Sequence, residues 1–277
     1  GVPQAVDIPD TFRCPVCDKE RTNSLPSNPI TDTFLIPKGA RFHGDFGFYK
    51  VASLRGFTCF LVLIEAVTSY RWTFCRRSKH PPVKLLIWFI IYLRKHVGVS
   101  FAVLRTDGGG ELWNCINLRD SLLEHHVTME PTGTANSVAN GKAERSIGVI
   151  CVQAQLLLYS SGLEPLYWCF ALMYSTLLCN IRPKANGDPS SHESFFAKVP
   201  SYCRLKIFGA HLYQVNRRVT RRRPESATID CRYLGPHGNS EIDVFINNTT
   251  KAMGYSRHHA IDELDLARLP GTRSPSA

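Results

Sequence analysis

Two short stretches hold the residues best suited to chemistry. Residues 104–111 read LRTDGGGE, so Asp107 stands at the end of an apolar run and just before three glycines. A strand that stops there presents a carboxylate at the C-terminal edge of its sheet, with little side-chain bulk around it. Residues 139–147 read ANGKAERSI and place Glu144 at the start of a helical stretch, after a loop of turn formers. The interval from 107 to 144 is 37 positions, room for one helix and one strand, so the chain can return to the same edge. Asp45, within FHGDFGF at 42–48, is a third candidate on an earlier strand. Three convergent carboxylates form a hard-oxygen site for Mg²⁺ or Mn²⁺. Crowded carboxylates repel one another and take up protons unless cations compensate. Two metals ~3.5–4 Å apart can activate an attacking oxygen and stabilise a leaving one in line, which is phosphodiester chemistry.

Taken singly, these acids have ordinary readings. Asp107 before three glycines fits a solvated turn, and Glu144 fits a first-turn acid favoured by the helix dipole. Asp45 alone says almost nothing. Spacing does not decide between the readings.

The elements that must position these residues follow from the pattern. Residues 57–67 (FTCFLVLIEAV) and 70–75 (YRWTFC) are aromatic and β-branched and read as a hairpin. Pro81-Pro82 opens a helix over 83–97. A strand at 100–105 runs into the glycine turn, a helix follows at 112–125, and a strand at 126–130 is ended by Pro131. Residues 142–160 and 165–180 read as two long helices. Antiparallel strands first and a βαβ-like continuation after predict a layered α/β core over 38–196. Short strands at 233–234, 242–246 and 252–256 predict a small β domain over 197–265, and 266–277 reads as a disordered tail.

The 277 residues carry 33 Lys and Arg against 23 Asp and Glu, a net charge of +10, which favours polyanionic partners. Five arginines fall within 217–223 (RRVTRRR): Arg217, Arg218, Arg221, Arg222 and Arg223. Such a patch binds phosphate without reading sequence, and it also fits a nuclear localisation signal. Arg71, Arg76, Arg77, Lys79 and Lys84 flank a DNA channel or solvate a strand end. The longest apolar run, 85–93, falls far short of the ~20 residues a membrane span needs, so no membrane partner is expected. Most of the ten cysteines sit in apolar runs, as reduced core thiols do. The chain starts Gly1-Val2-Pro3, which reads as a processed product, a piece of a polyprotein or an incomplete gene model.

These fragments occur together, and in order, in one family. Arg105-Thr106-Asp107-Gly108-Gly109-Gly110-Glu111 and Asn140-Gly141-Lys142-Ala143-Glu144-Arg145 resemble the core motifs of integrases of copia-type long-terminal-repeat retrotransposons, in the retroviral integrase superfamily. So do HGDFG around Asp45, Ser69-Tyr70-Arg71-Trp72, Tyr167-Trp168, Asn180-Ile181-Arg182-Pro183 and LKIFGAHLY at 205–213. The sequence departs from the family at Gly108, where Asn is usual, and in the loop before Asn140, which lacks Pro-Gln.

The resemblance implies a ribonuclease-H-like mixed five-stranded sheet flanked by helices, followed by the small C-terminal β domain. It implies that Asp45, Asp107 and Glu144 ligate Mg²⁺ or Mn²⁺, and that a 3′-hydroxyl of element DNA attacks a target phosphodiester. Lys142 and Arg145 then contact phosphate or, in the plainer reading, solvate a helix face. Cys14-Pro15-Val16-Cys17 looks like half of the family's zinc module, within a remnant and linker over 1–37. Cys14 and Cys17 alone cannot supply the four ligands of structural Zn²⁺, so Zn²⁺ is expected only if the missing histidines lie upstream. Expected partners are element and target DNA, further copies of the chain, and polyprotein neighbours such as reverse transcriptase. The expected location is the nucleus, after a cytoplasmic particle stage. A catalytically inactive nucleic-acid-binding remnant is the alternative, and a nuclease using water as nucleophile needs the same acids.

Overall fold

A computed structural model describes residues 36–108, 110–132, 141–184, 187–202, 205–215, 228–238 and 241–263. Cys14, Cys17 and the arginines of 217–223 lie outside the described residues. The described residues form two compact units that interleave in sequence, one from those within 36–152 and 175–200, the other from those within 153–174 and 201–263.

The first unit is built on a sheet of five strands: β1 (Arg41–Phe48), β2 (Cys59–Glu65), β3 (Arg71–Arg76), β4 (Val103–Asp107) and β5 (Thr128–Thr132). Their order is β3-β2-β1-β4-β5, with β1, β2 and β3 antiparallel and β4 and β5 parallel to β1. This is the mixed ribonuclease-H-like sheet. Every residue of β2 (CFLVLIE) is buried, as an uninterrupted apolar strand requires. Helix α1 (Val83–Tyr92) follows Pro82 and buries Leu86, Phe89 and Ile90. It continues as one π-helical turn, Leu93–Val97, that stops at Gly98 with φ of 74°. Helix α2 (Ile116–Glu124) buries Leu118 and Leu122. These faces meet Phe42, Leu63, Phe101, Leu104 and Met129 in one core, where the tilted rings of Phe42 and Phe101 lie 4.3 Å apart and Trp72 lies 5.1 Å from Phe89.

Three details differ from the sequence reading. Pro131 lies inside β5, and an edge strand tolerates the lost N–H. Helix α2 starts at Ile116, because the turn that begins at Asp107 runs on through residue 114. A short helix, here α5 (Ser191–Phe196), is capped by Ser190, whose hydroxyl accepts from the Glu193 N–H.

Helix α3 (Gly141–Ser161) and helix α4 (Trp168–Ile181) each pass from one unit into the other. The second unit adds an all-antiparallel sheet of β6 (His211–Val215), β7 (Thr228–Pro236), β8 (Asp243–Asn247), β9 (Met253–Ser256) and β10 (His259–Asp262), in the order β10-β6-β7-β8-β9. Strands β6 and β10 are absent from the sequence reading because each is short and only partly buried. A register shift between Tyr233 and Gly235 bends β7, and Gly235 takes a φ of 126° there. Asp243 of β8 accepts from His259 of β10 at 2.9 Å, so the sheet rolls back toward its own edge.

Candidate active site

Strand register brings the first two acids together. Gly44 of β1 pairs with Thr106 of β4 in a parallel ladder, so the next position on each strand sets Asp45 beside Asp107. Adjacent strands lie ~4.8 Å apart, and residues in register share a face. Glu144 is in the first turn of α3. Its field reaches Asp45: the Asp45 carboxyl is pushed up to about 6, first by burial and then by Glu144, Asp107 and Glu111. The Phe46 N–H, donating to Asp45 Oδ1 at 2.7 Å, opposes that shift. Asp45 and Asp107 therefore share one sheet edge, and the Glu144 charge acts on Asp45 from the start of α3.

Glycines keep this edge slim. A Cβ on Gly44 would stand 3.1 Å from Leu63 and 3.2 Å from Leu104, and one on Gly47 would enter the Phe60 ring at 2.1 Å. Beyond Asp107 the chain turns sharply, with the Gly110 N–H donating to the Asp107 carbonyl at 3.2 Å. Glu111 pairs with Lys79 at 3.0 Å on the surface, and Lys79 also sits 3.9 Å over the Phe48 ring. Arg105, from the same motif, pairs with Glu130 at 3.1 Å, and Glu130 takes Arg41 at 3.1 Å as well. His43 precedes Asp45 on the same face of β1; burial foremost, then Lys142, Arg105 and Arg41, lowers it to about 3 and keeps its imidazole neutral.

The basic residues beside Glu144 take different positions. Arg145 is exposed, its Nε donating to the Gly141 carbonyl of its own helix at 2.8 Å. The Lys142 ammonium instead turns inward and donates to the Ala66 carbonyl. Burial is the main cause that lowers it to about 8, while Glu65 acts the other way. Glu65 is fully buried, accepting from the Gly39 N–H at 2.9 Å and from the Thr68 N–H and hydroxyl at 2.5 and 2.6 Å. An acid closing the otherwise apolar run CFLVLIE was the available signal for this buried polar cluster.

An all-carboxylate donor set in a negative field suits a hard divalent cation. Among the described residues, however, no three His, Cys, Asp or Glu side chains are gathered tightly enough to hold a metal ion as they stand.

No protein-family model matches the chain. It is 23% identical over 251 residues to the retrovirus-related Pol polyprotein from transposon RE2 of Arabidopsis thaliana, covering 90% of this chain. Its identity is 21% over the same share to that from transposon RE1 of the same plant, and 23% over 70% of the chain to that from transposon TNT 1-94 of Nicotiana tabacum. The chain spans only 17% of the two Arabidopsis polyproteins. Among solved structures it is similar to a chain of the simian T-cell lymphotropic virus intasome in complex with the PP2A regulatory subunit B56 gamma, at 13% identity and a TM-score of 0.49, covering 87% of this chain and 84% of that one. It is also similar to the HTLV-2 integrase catalytic core domain in complex with magnesium, at 15% identity and a TM-score of 0.44, covering 58% of this chain and 98% of that one. Over nine-tenths of its length the chain is thus similar to the Pol polyproteins of plant retrotransposons, and its sheet has the mixed five-stranded order of a ribonuclease-H-like fold.

Proposed function

We propose that this chain catalyses DNA strand transfer, as a polynucleotidyl transferase that joins a 3′-hydroxyl of element DNA to a target phosphodiester. One P–O bond forms at the attacking hydroxyl and one P–O bond of the target strand breaks, so no outside energy source is needed. The observation that carries this reading is the β1–β4 register, which sets Asp45 beside Asp107 under the field of Glu144. Asp45, Asp107 and Glu144 would hold Mg²⁺ or Mn²⁺, and the bound ions supply Lewis acidity at the attacking and leaving oxygens. Asp45, raised to about 6, carries a fraction of a proton near neutral pH until a cation offsets the surrounding charge. Exposed Arg145, one position after Glu144, is placed to meet a phosphate, whereas Lys142 fixes the start of α3. Assembly into oligomers on DNA and action in the nucleus belong to the same proposal. So does Zn²⁺ at Cys14 and Cys17, given two further ligands from a longer chain.

Glu144→Gln tests the assignment, because it removes a charge and keeps the size of an exposed side chain. Joining of a labelled 3′ end to target DNA in Mn²⁺ is expected to fall by at least ~10³-fold, with the circular dichroism spectrum unchanged. Full joining activity in that variant would falsify the role of Glu144. The inactive-remnant reading has one observation in its favour, the acids not yet gathered to hold an ion. It predicts salt-sensitive DNA binding by the parent chain, with neither joining nor cleavage at any Mg²⁺ or Mn²⁺ concentration.

A further inference from the structure

The first unit contains a cavity of about 590 Å³ whose chemistry is cationic. Arg71, Arg182 and Lys184 line it, together with the hydroxyl-bearing Ser69 and Ser191. No carboxylate lines it, and the Cys179 thiol in its wall is held protonated by burial, against the pull of Arg71 and Arg182. Among the described residues, none of these three cations is paired with an acid. Three like charges converge without compensation, an arrangement that calls for an anion.

The cations are held in place rather than merely nearby. Arg71 stands at the start of β3, where its backbone N–H donates to Asn180 Oδ1 at 2.9 Å and its carbonyl accepts from Asn180 Nδ2 at 2.8 Å. Its Nε donates to the Ser146 hydroxyl of α3, and its side chain lines the cavity. A turn positions Lys184, whose N–H donates to the Asp188 carbonyl at 3.2 Å while its own carbonyl accepts from the Gly187 N–H at 3.2 Å. Ser69, at the hairpin tip, adopts a left-handed φ of 63°. Arg182 and Lys184 are exposed, so the cavity opens to solvent, and a continuous strand can cross it without being swallowed.

Position narrows the ligand further. Val149, in the cavity wall, follows Glu144 on α3 by about 7.5 Å of helix axis. The volume lies in the ~300–1,000 Å³ range of small-ligand sites, far above the needs of a lone phosphate ion. We infer that this cavity binds a backbone phosphate of the DNA strand, with the half-buried Arg71 as its fork and Arg182 and Lys184 as the rim. It is a second contact point beside the carboxylate edge, and it rests on the strand-transfer reading only in taking DNA as the ligand.

The test is fluorescence anisotropy of a labelled DNA duplex with the full chain, across a range of salt. Arg182→Gln combined with Lys184→Gln removes two exposed cations and leaves Arg71 and its hydrogen bonds in place. Affinity is expected to fall about tenfold or more, and the slope of log affinity against log salt to shrink by about 1, as loss of one phosphate contact requires. Arg71→Lys keeps the charge but loses the fork, and is expected to weaken binding with little change in slope. Lys95→Gln with Lys251→Gln serves as the control, since both side chains are exposed, after α1 and in the β8–β9 turn. Equal losses in the rim and control variants overturn the proposal, as does an unchanged slope in the rim variant. If the parent binds no DNA, this inference and the functional reading both fall; if it binds and joins DNA while the rim variant behaves as parent, only this inference falls.

Discussion

Asp45 occupies a place that resists its own charge. Burial and the neighbouring acids raise it from 3.8 to about 6, so the folded state favours the protonated form. The sign of the stability effect follows from linkage. A carboxyl raised on folding contributes fully below its unfolded pKa and loses that contribution as pH rises through the folded value. Metal-free protein should therefore lose stability between about pH 4 and pH 6 on account of this group. Asparagine keeps an acceptor for the Phe46 N–H and cannot ionise. Asp45→Asn is expected to be more stable than the parent by roughly 1–3 kcal/mol at pH 7 in a chelator, and no more stable at pH 4. Urea unfolding at the two pH values measures this, and an equal gain at both rejects it. The same variant is expected to lose joining activity, so the residue trades stability for a metal-ready site.

Helix α3 sets where Glu144 stands, and hydrogen bonds to the hairpin and to α4 tie it down. Lys142 reaches the Ala66 carbonyl, Arg71 reaches Ser146, and the Ser175 hydroxyl of α4 donates to the Ile150 carbonyl at 3.0 Å. Strand β3 is an edge, and the amide of buried Asn180 takes the place of a missing neighbour strand at Arg71. Asn180→Ala leaves two backbone groups without partners and is expected to cost roughly 2–4 kcal/mol by chemical denaturation. A loss below about 0.5 kcal/mol would show that water replaces the amide. This anchoring was not legible in the sequence, where Asn180 is one residue of a motif and Glu65 the last of an apolar run. The elements themselves were legible, because β2 and β3 are apolar and β-branched and the long helices repeat their apolar faces. That β4 ends at Asp107 was legible too, since a strand running into a glycine turn needs no long-range partner to be recognised. What escaped was set by tertiary context: Pro131 tolerated at an edge, the π-helical turn after α1, and strands β6 and β10.

At the scale of the whole molecule, charge and connectivity raise separate questions. Helices α3 and α4 each belong to two compact units, so a boundary drawn at one point of the sequence does not describe how the chain divides. The net charge of +10, by contrast, can be partitioned by sequence position. Half of it equals the five arginines of 217–223, between β6 and β7. If those arginines meet DNA phosphates, each contact releases counterions and adds ~0.9 to the salt slope. Replacing all five with serine is therefore expected to reduce the slope by up to about 4–5 and to weaken binding at low salt by orders of magnitude. The loss should be the same for unrelated DNA sequences, because phosphate contacts carry no base information. Salt titrations of the parent and the five-serine variant on two unrelated duplexes measure both effects. A slope that does not change assigns the excess charge to solubility or nuclear import. A loss confined to one duplex assigns the arginines to base reading instead. Either result removes 217–223 as a general phosphate clamp, while a slope that shrinks equally on both duplexes establishes it.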